Sequence, residues 1–422
     1  MQSHTILFGN PGNKRTTGWQ QALKHHKQPA ALEVPYIRLL QAIRAGDRLI
    51  DLLDSLIWRH YNQHAVHHYP SDLLAQPLAL RLDAPGENTA VERGLIALGA
   101  DDAEGLISDD LLPLPEYTHG STITAAMARR LEPHHGRVFY PAQWFRGYCR
   151  LLSWLRLEVQ RDLSHGRWMN DPAEAAIMFD KRRCSRWLDQ AGIRVPGVLA
   201  AAYEDMPGSY DSLRQLMEQQ RVHRVFVKLF CGSGASGVIA YQYHPRTGAE
   251  IASTTIGMEQ WNGEQIIYNS GRLRRYTDHE VIRRMIDWVG QEGMHVERWI
   301  SKDMIGDMAY DVRQLVCGEQ AGHAVVRLSR TPITNLHLRN KRMLLEQTDL
   351  SAAVRESIRM TAVDGLGAFP GSFCAGMDVL VPAGGGDPLI ADVNPFGDLL
   401  YYVQHEGLGA YEWELARWLE RK

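Results

Sequence analysis

The chain lacks an excess of either charge: 46 lysines and arginines stand against 49 aspartates and glutamates, a formal net charge of -3 at pH 7. That balance gives no electrostatic case for a nucleic-acid partner or an anionic membrane. Cysteine is sparse. The five residues, Cys149, Cys184, Cys231, Cys317 and Cys374, are scattered with no C-x-x-C pair, which argues against a disulfide framework and against a zinc knuckle. No apolar run reaches the length of a membrane span and the start of the sequence has no long apolar h-region, so the expected compartment is cytoplasmic. Nor does a Ser/His/Asp or Cys/His set stand out as a nucleophile with its base.

What is present is an ordinary globular composition, 422 residues with 45% hydrophobic and 23% charged, enough for two to three domains' worth of core. The first third alternates strand and helix signals. Thr5 to Gly9, a loop from Gly9 to Gly18, an amphipathic stretch through Trp19, Ala22, Leu23 and His26, and Ala31 to Val34 read as β-loop-α-β of a Rossmann-like unit. It continues through Ala79 to Asp83 and a helix from Thr89, where Thr89 and Glu92 read as a capping box and Gly99 as the stop. The Gly9 to Gly18 loop does not match P-loop spacing and reads as a turn first, an anion or substrate site second. His60, His64 and His68, with His67 beside them, share a helical face; without a carboxylate or cysteine nearby they read as solvated rather than metal-binding. Residues 107–120 form a connection, and Trp144, Tyr148, Leu151, Leu155 and Val159 mark a core-packing helix between domains.

The stretch from Arg224 to Tyr241 organises the second part. Val225, Phe226, Val227, Leu229 and Phe230 read as a strand, Gly232, Gly234 and Gly237 interrupt it, and Val238 to Tyr241 resume it. G-x-G-x-x-G is satisfied, but a dinucleotide fingerprint opens a helix, whereas VIAY favours a strand; the loop is therefore expected to tip a hairpin. Lys228 lies inside the first strand and needs an anion, because an unpaired buried ammonium is costly. Its glycine loop, with Ser233 and Ser236, can turn backbone N–H groups inward to cradle phosphate. Upstream, Asp171, Pro172 and Glu174 open a helix, a break falls near Phe179, and Lys181 shares an apolar face with Cys184, Leu188 and Ala191. Two lysines are thus expected to converge on one polyanion.

Further on, Thr277 and Glu280 read as the cap of a helix through Val289, followed by a strand at HVERWI. Asp311 and Arg313 share one strand face, Arg327 lies on the next strand, and Asn335 and His337 follow in a loop. Asp378 on one strand and Asp392 with Asn394 on the next, joined by a glycine-rich hairpin, form an oxygen set suited to a hard cation such as Mg²⁺.

From about Asn170 to Asp398, a little over half the chain, this order of motifs resembles the ATP-grasp superfamily, especially its carboxylate-amine ligases of the glutathione synthetase, D-alanine ligase and ribosomal-protein glutamate ligase type. The resemblance implies a mixed α/β and α+β chain with a Rossmann-like domain over 1–115, a helical connection over 116–170 and a two-lobed ATP-grasp fold over 171–422. It implies ATP and Mg²⁺ as cofactors, a small-molecule or peptide carboxylate and an amine as substrates, and ADP as product, and it leaves a homodimer open. Lys181 and Lys228 resemble the lysines on the α- and β-phosphates, and Gly232, Ser233, Gly234, Ser236 and Gly237 the loop over the triphosphate. Glu297, Arg298 and Ile300 resemble the adenine-reading hinge. Arg313, Arg327 and Asn335, with Asp311 and His337, resemble the segment that meets the transferred phosphate. Asp378, Asp392 and Asn394 resemble the metal ligands. Two departures stand out: the family usually has glutamate where this chain has Asp392, and no glycine occurs between Gly322 and Gly365. An ATP-grasp kinase acting on a hydroxyl, or a nucleotide-binding protein without turnover, are the alternative readings.

Overall fold

The computed structural model describes residues 4–63, 72–112, 120–134, 136–200, 205–232, 236–261, 264–334 and 340–421. Its chain is mixed α/β, with one parallel and two antiparallel sheets. Strands β1 (His4–Gly9), β2 (Leu32–Pro35), β3 (Leu78–Leu82) and β4 (Arg167–Trp168) form the parallel sheet in the order β2-β1-β3-β4. Parallel neighbours need long crossovers, supplied by helices α1 (Lys14–His25), α2 (Tyr36–Ala45), α3 (Leu49–Gln63), α4 (Thr89–Leu98), α5 (Ala125–Arg129) and α6 (Pro141–Asp162). The central strands β1 and β3 are buried on both faces, which is why they are mostly apolar throughout.

The stripe on α6 is buried in a core that it shares with two of the sheets. Phe145, Tyr148, Leu151, Leu152 and Leu155 are fully buried in one core with Ile6 and Leu80 of the parallel sheet and Val225, Val227 and Val296 of the next sheet. The helix expected at Asp171 is α7 (Pro172–Phe179), capped by the Asp171 side chain, and it breaks at Asp180, which caps α8 (Lys181–Gln190). Two helix starts differ from expectation. Asn88 rather than Thr89 caps α4, its side chain accepting from the N–H groups of Ala90 and Val91. One residue earlier than expected, a carbonyl-bearing side chain reaches these orphan donors with no β-branch.

The second sheet is antiparallel in the order β8-β7-β6-β5-β9, from β5 (Arg224–Leu229), β6 (Val238–Tyr243), β7 (Glu250–Trp261), β8 (Glu264–Tyr276) and β9 (Met294–Arg298). Helices α9 (Tyr210–Gln219) and α10 (His279–Gln291) cover one face. Asp278, not Thr277, caps α10 through the Val281 N–H. The third sheet runs β13-β12-β11-β14-β15 with β10 beside β11: β10 (Met304–Ile305), β11 (Met308–Cys317), β12 (Gln320–Ser329), β13 (Lys341–Leu344), β14 (Cys374–Leu380) and β15 (Leu389–Asn394). Val312, Val326, Met377 and Val379 bury its outer face with α11 (Ala352–Gly367) and α8. Finally α12 (Ala410–Glu420) returns to pack on α1, where Trp19, Tyr411 and Trp413 are buried.

Among the described residues, no helix is long and apolar enough to cross a membrane. All five cysteines are free and buried. His64, His67 and His68 lie outside the described residues.

Candidate active site

The glycine stretch is a hairpin. β5 and β6 pair antiparallel with Lys228 opposite Val238, and the Leu229 N–H donates to the Gly237 carbonyl at 2.8 Å. No helix follows, so the dinucleotide fingerprint is excluded by the strand pairing. Gly237 has φ +69°, and a Cβ there would sit 2.6 Å from the Leu229 Cβ; at Gly232 one would meet the Ser236 carbonyl at 2.5 Å. These two glycines are required by the tight crossing of the hairpin's own ends. Ser233 and Gly234 lie outside the described residues, as do Asn335 and His337; Ser236 is partly exposed beside the loop.

The two lysines converge. Lys181 is the first residue of α8, tied to the end of β5 by its N–H donating to Phe230 O at 2.9 Å, and its Nζ lies 2.9 Å from both Asp392 oxygens. Lys228 Nζ sits 2.5 Å from Glu297 Oε1 and 3.4 Å from the carbonyl of Ala391. The lysines therefore arrive from different elements at consecutive residues of β15. The anion that Lys228 demands is supplied by the protein, since Glu297 lies one strand over on β9. Burial raises the Glu297 carboxyl, but Lys228 and His295 together outweigh it and the net direction is down. Burial likewise opposes ionisation of Lys181 and Asp392; each favours the other's charged form, so Lys181 is raised and Asp392 lowered. His295, whose Nε2 is 3.4 Å from Glu297, is held neutral-leaning by its complete burial.

A row of charges crosses the inner face of the third sheet. Register places Arg327 opposite Asp311, Arg313 opposite Asp378, and Asp378 opposite Asp392. Arg327 Nε donates to Asp311 Oδ1 at 2.6 Å and its Nη2 reaches Asp378 Oδ2 at 3.1 Å. Arg313 Nε lies 2.8 Å from Asp378 Oδ1 and 3.3 Å from Asp398 Oδ2. Lys302 Nζ donates to Asp311 at 2.9 Å, and both meet the Thr334 hydroxyl. Burial would raise the Asp311 carboxyl; Arg327 and Lys302 bring it down to about 2. Among the described residues the cluster holds five cations, Lys181, Lys228, Lys302, Arg313 and Arg327, and five carboxylates, Glu297, Asp311, Asp378, Asp392 and Asp398. These charges balance one another, so a polyanion entering among them is best met with cations of its own.

The oxygen set fits a hard cation. Asp378 and Asp392 lie directly opposite on neighbouring strands, and the repulsion of such a pair is already offset by Arg313 and Arg327 on one and Lys181 on the other. Asp378 Oδ1 is buried without an aligned hydrogen bond. Asn394 ties its amide nitrogen to Gly376 O at 3.1 Å. Among the described residues no three His, Cys, Asp or Glu side chains enclose an ion. A Mg²⁺ here would therefore rest on one or two carboxylates, Asn394 and ligand oxygens, which is how that ion is commonly held.

At the hinge the Arg298 N–H donates to Gly197 O at 2.8 Å, so this one donor is taken within the protein, and the bridge of residue 198 with Glu297 continues the pairing there. Ile300 follows beyond the strand, partly exposed. Glu297 is turned toward Lys228. His295, Lys302, Thr334 and Asp398 were not singled out from the sequence. For Lys302 and Asp398 a signal existed, charged residues beside ERWI and NPF; for Thr334 none did.

No protein-family model matches the chain, and no curated protein does. Solved structures share its outline. The ATP-grasp ligase PsnB complexed with minimal precursor is 12% identical, covers 98% of this chain and 99% of its own, with a TM-score of 0.49. The D-cycloserine synthetase DcsG is 11% identical over 99% and 100%, at 0.47. The D-alanine–D-alanine ligase of Bacillus anthracis complexed with ATP is 11% identical over 100% and 97%, at 0.46. Similarity this distant carries no argument about chemistry, which rests on the side chains of the site.

Proposed function

We propose that the chain is an ATP- and Mg²⁺-dependent carboxylate-amine ligase with an ATP-grasp fold: a Rossmann-like unit over 1–115, a helical connection over 116–170 and the two antiparallel sheets of 171–422 as lobes. The observation that supports it best is the meeting of Lys181 and Lys228 at Ala391 and Asp392, with Lys228 on the strand that leads into the glycine hairpin. The two ammonium groups would take non-transferred phosphates, the Gly232 to Gly237 turn would cover them, and Ile300 would border the base. Asp378, Asp392 and Asn394 would hold Mg²⁺, which when bound neutralises phosphate charge. Arg313 and Arg327 would face the terminal phosphate and the acid.

A carboxylate is a poor electrophile; phosphorylation by ATP, with release of ADP, converts it to an acyl phosphate, and an amine then attacks the acyl carbon and displaces phosphate to give the amide. Such transfer needs positioning and charge neutralisation rather than a protein nucleophile. The arginines arrive already oriented by Asp311 and Asp378, so they are preorganised for charge that develops on the transferred group. The cytoplasm, with its ATP and Mg²⁺, is the proposed compartment. The test is direct: MgATP at about a hundred times its Kd adds roughly 2.7 kcal/mol of stability, visible as a thermal shift. ADP and phosphate should then appear with a suitable acid, and amide with an amine. A flat melting curve with saturating MgATP, or AMP as product, refutes the assignment; a phosphorylated hydroxyl without amide favours the kinase.

A further inference from the structure

Lys228 and His295 stand directly opposite each other on the paired strands β5 and β9. Their neighbours Val227 and Val296 fill the core, so by strand alternation the lysine, the histidine and Glu297 share the other face. The two oxygens of the Glu297 carboxylate are divided between them. Oε1 lies 2.5 Å from Lys228 Nζ and Oε2 lies 3.4 Å from His295 Nε2. A ring nitrogen that faces a carboxylate carries the hydrogen, which leaves Nδ1 as the basic nitrogen of the neutral imidazole. That nitrogen is buried and, among the described residues, makes no hydrogen bond. It can therefore accept a proton without breaking a bond the fold depends on. At rest Lys228 supplies the positive charge that Glu297 needs, and burial, helped by Lys228 and Lys181, keeps the imidazole neutral.

A triphosphate upsets that balance. Lys228 then divides its ammonium between Glu297 and phosphate, and MgATP is still a net anion, so negative charge around the buried carboxylate grows as its cation is drawn away. A buried carboxylate without a counter-ion is costly, and a nearby anion favours the protonated form of every group beside it. We propose that His295 is a positioning residue for the nucleotide: it takes over Glu297 as Lys228 turns to phosphate, and the Glu297–His295 pair takes up a proton from solvent as MgATP binds. The charges that face the pair are Lys228 from β5, Lys181 from α8 and, beyond Lys228, Asp392 from β15. Helix α10, which also packs on β9, buries Ile282, Met285, Ile286 and Val289 and adds no charge from these side chains. Because a proton is taken up, affinity for MgATP falls as pH rises through the pKa of the bound pair.

This role rests on the nucleotide reading, and calorimetry separates the two. The intact protein is titrated with ATP at saturating Mg²⁺ and about pH 7.5, in HEPES and in Tris, whose ionisation enthalpies differ. The observed enthalpies should differ by the amount that an uptake of roughly half a proton or more requires. Glu297→Gln leaves no buried carboxylate to compensate, so its enthalpy should be the same in both buffers. Its affinity should stay nearly flat between about pH 7 and 9, where that of the unaltered protein falls by roughly threefold or more. His295→Gln keeps a donor for Glu297 but has no basic nitrogen; its uptake should shrink at about pH 7.5 and reappear at lower pH, where Glu297 itself is protonated. Should Glu297→Gln fail to fold, His295→Gln decides alone, since a merely structural histidine would change affinity without moving the buffer dependence. Equal enthalpies in the two buffers for the unaltered protein, or a buffer dependence that the folded variants keep, overturn the role of His295. No heat from MgATP together with a flat melting curve refutes the nucleotide reading itself.

Discussion

Asp311 shows what one buried charge contributes. It is 3% exposed and held by Arg327, Lys302 and Thr334. Its folded pKa of about 2 lies below the ordinary carboxylate value, so the stabilisation is present above about pH 4 and lost as pH falls toward 2. The magnitude is on the order of 2 kcal/mol. Asp311→Asn should be less stable at neutral pH, and its urea-unfolding free energy should fall less steeply than that of the unaltered protein between pH 4 and 2; parallel curves would show that Asp311 does not titrate with folding. Asp392 makes a different prediction, because it is shared between Lys181 and the proposed ion. Asp392→Asn should raise the Mg²⁺ concentration needed for half-maximal turnover by about tenfold or more. It should also enlarge the thermal shift given by ATP with EDTA, since Lys181 no longer has to leave a carboxylate. An unchanged Mg²⁺ requirement places the ion elsewhere. The lysines, arginines and carboxylates that meet in this cluster stand out in the sequence because a charge inside an apolar run has few physical excuses. Their mutual partners were not, since pairing Lys228 with Glu297 requires knowing that β9 lies beside β5.

Individual elements were legible wherever periodicity and backbone chemistry agreed. VIAY after the glycines gave β6, and the Asp-Pro start gave α7. Cap residues slipped by one, at Asn88 for Thr89 and Asp278 for Thr277, because adjacent side chains that can both accept a hydrogen bond differ only in backbone geometry. The hairpin joining β5 to β6 offers the sharpest test at this scale. Gly237→Ala would place a Cβ 2.6 Å from that of Leu229 at a φ of +69°, a strain of about 1–3 kcal/mol that the turn relieves by opening. Affinity for MgATP should fall while the secondary structure seen by circular dichroism stays, as titration calorimetry can measure. Gly248→Ala, also at positive φ but with open space around it, is the control: it carries the backbone strain at the β6–β7 turn without touching the proposed lid. Equal losses in both variants would mean that the β5–β6 turn has no special part in binding.

At the scale of the molecule, the parallel sheet and helix α12 are joined by a contact that no local pattern announces. Arg81 of β3 and Glu414 of α12, 333 residues apart, form an ion pair with exposures of 2% and 0%. Arg81 also lies 3.3 Å from Asp83, and its guanidinium is 3.9 Å from the Trp19 ring centroid. In the sequence Arg81 stands within an apolar strand and nothing marks α12 as its neighbour, since an arginine in a buried strand names no partner. The same return of the chain carries Phe396, whose carbonyl accepts from Arg15 Nη1 at 2.9 Å, and Asp398 beside Arg313. The ion pair thus fixes the edge of the proposed site as well as the packing of α12. Removing one partner of a buried pair costs about 3–5 kcal/mol because the other charge stays buried; Asp83 remains for Arg81, which sets the expectation at about 3 kcal/mol. Glu414→Gln should therefore lower the denaturant midpoint with an unchanged m-value. Replacing both partners, Arg81→Met with Glu414→Leu, should cost less than the sum of the single changes, because no unpaired charge is left. A Glu414→Gln midpoint equal to that of the unaltered protein, or strict additivity in the double variant, would show that α12 is held by its aromatic face alone.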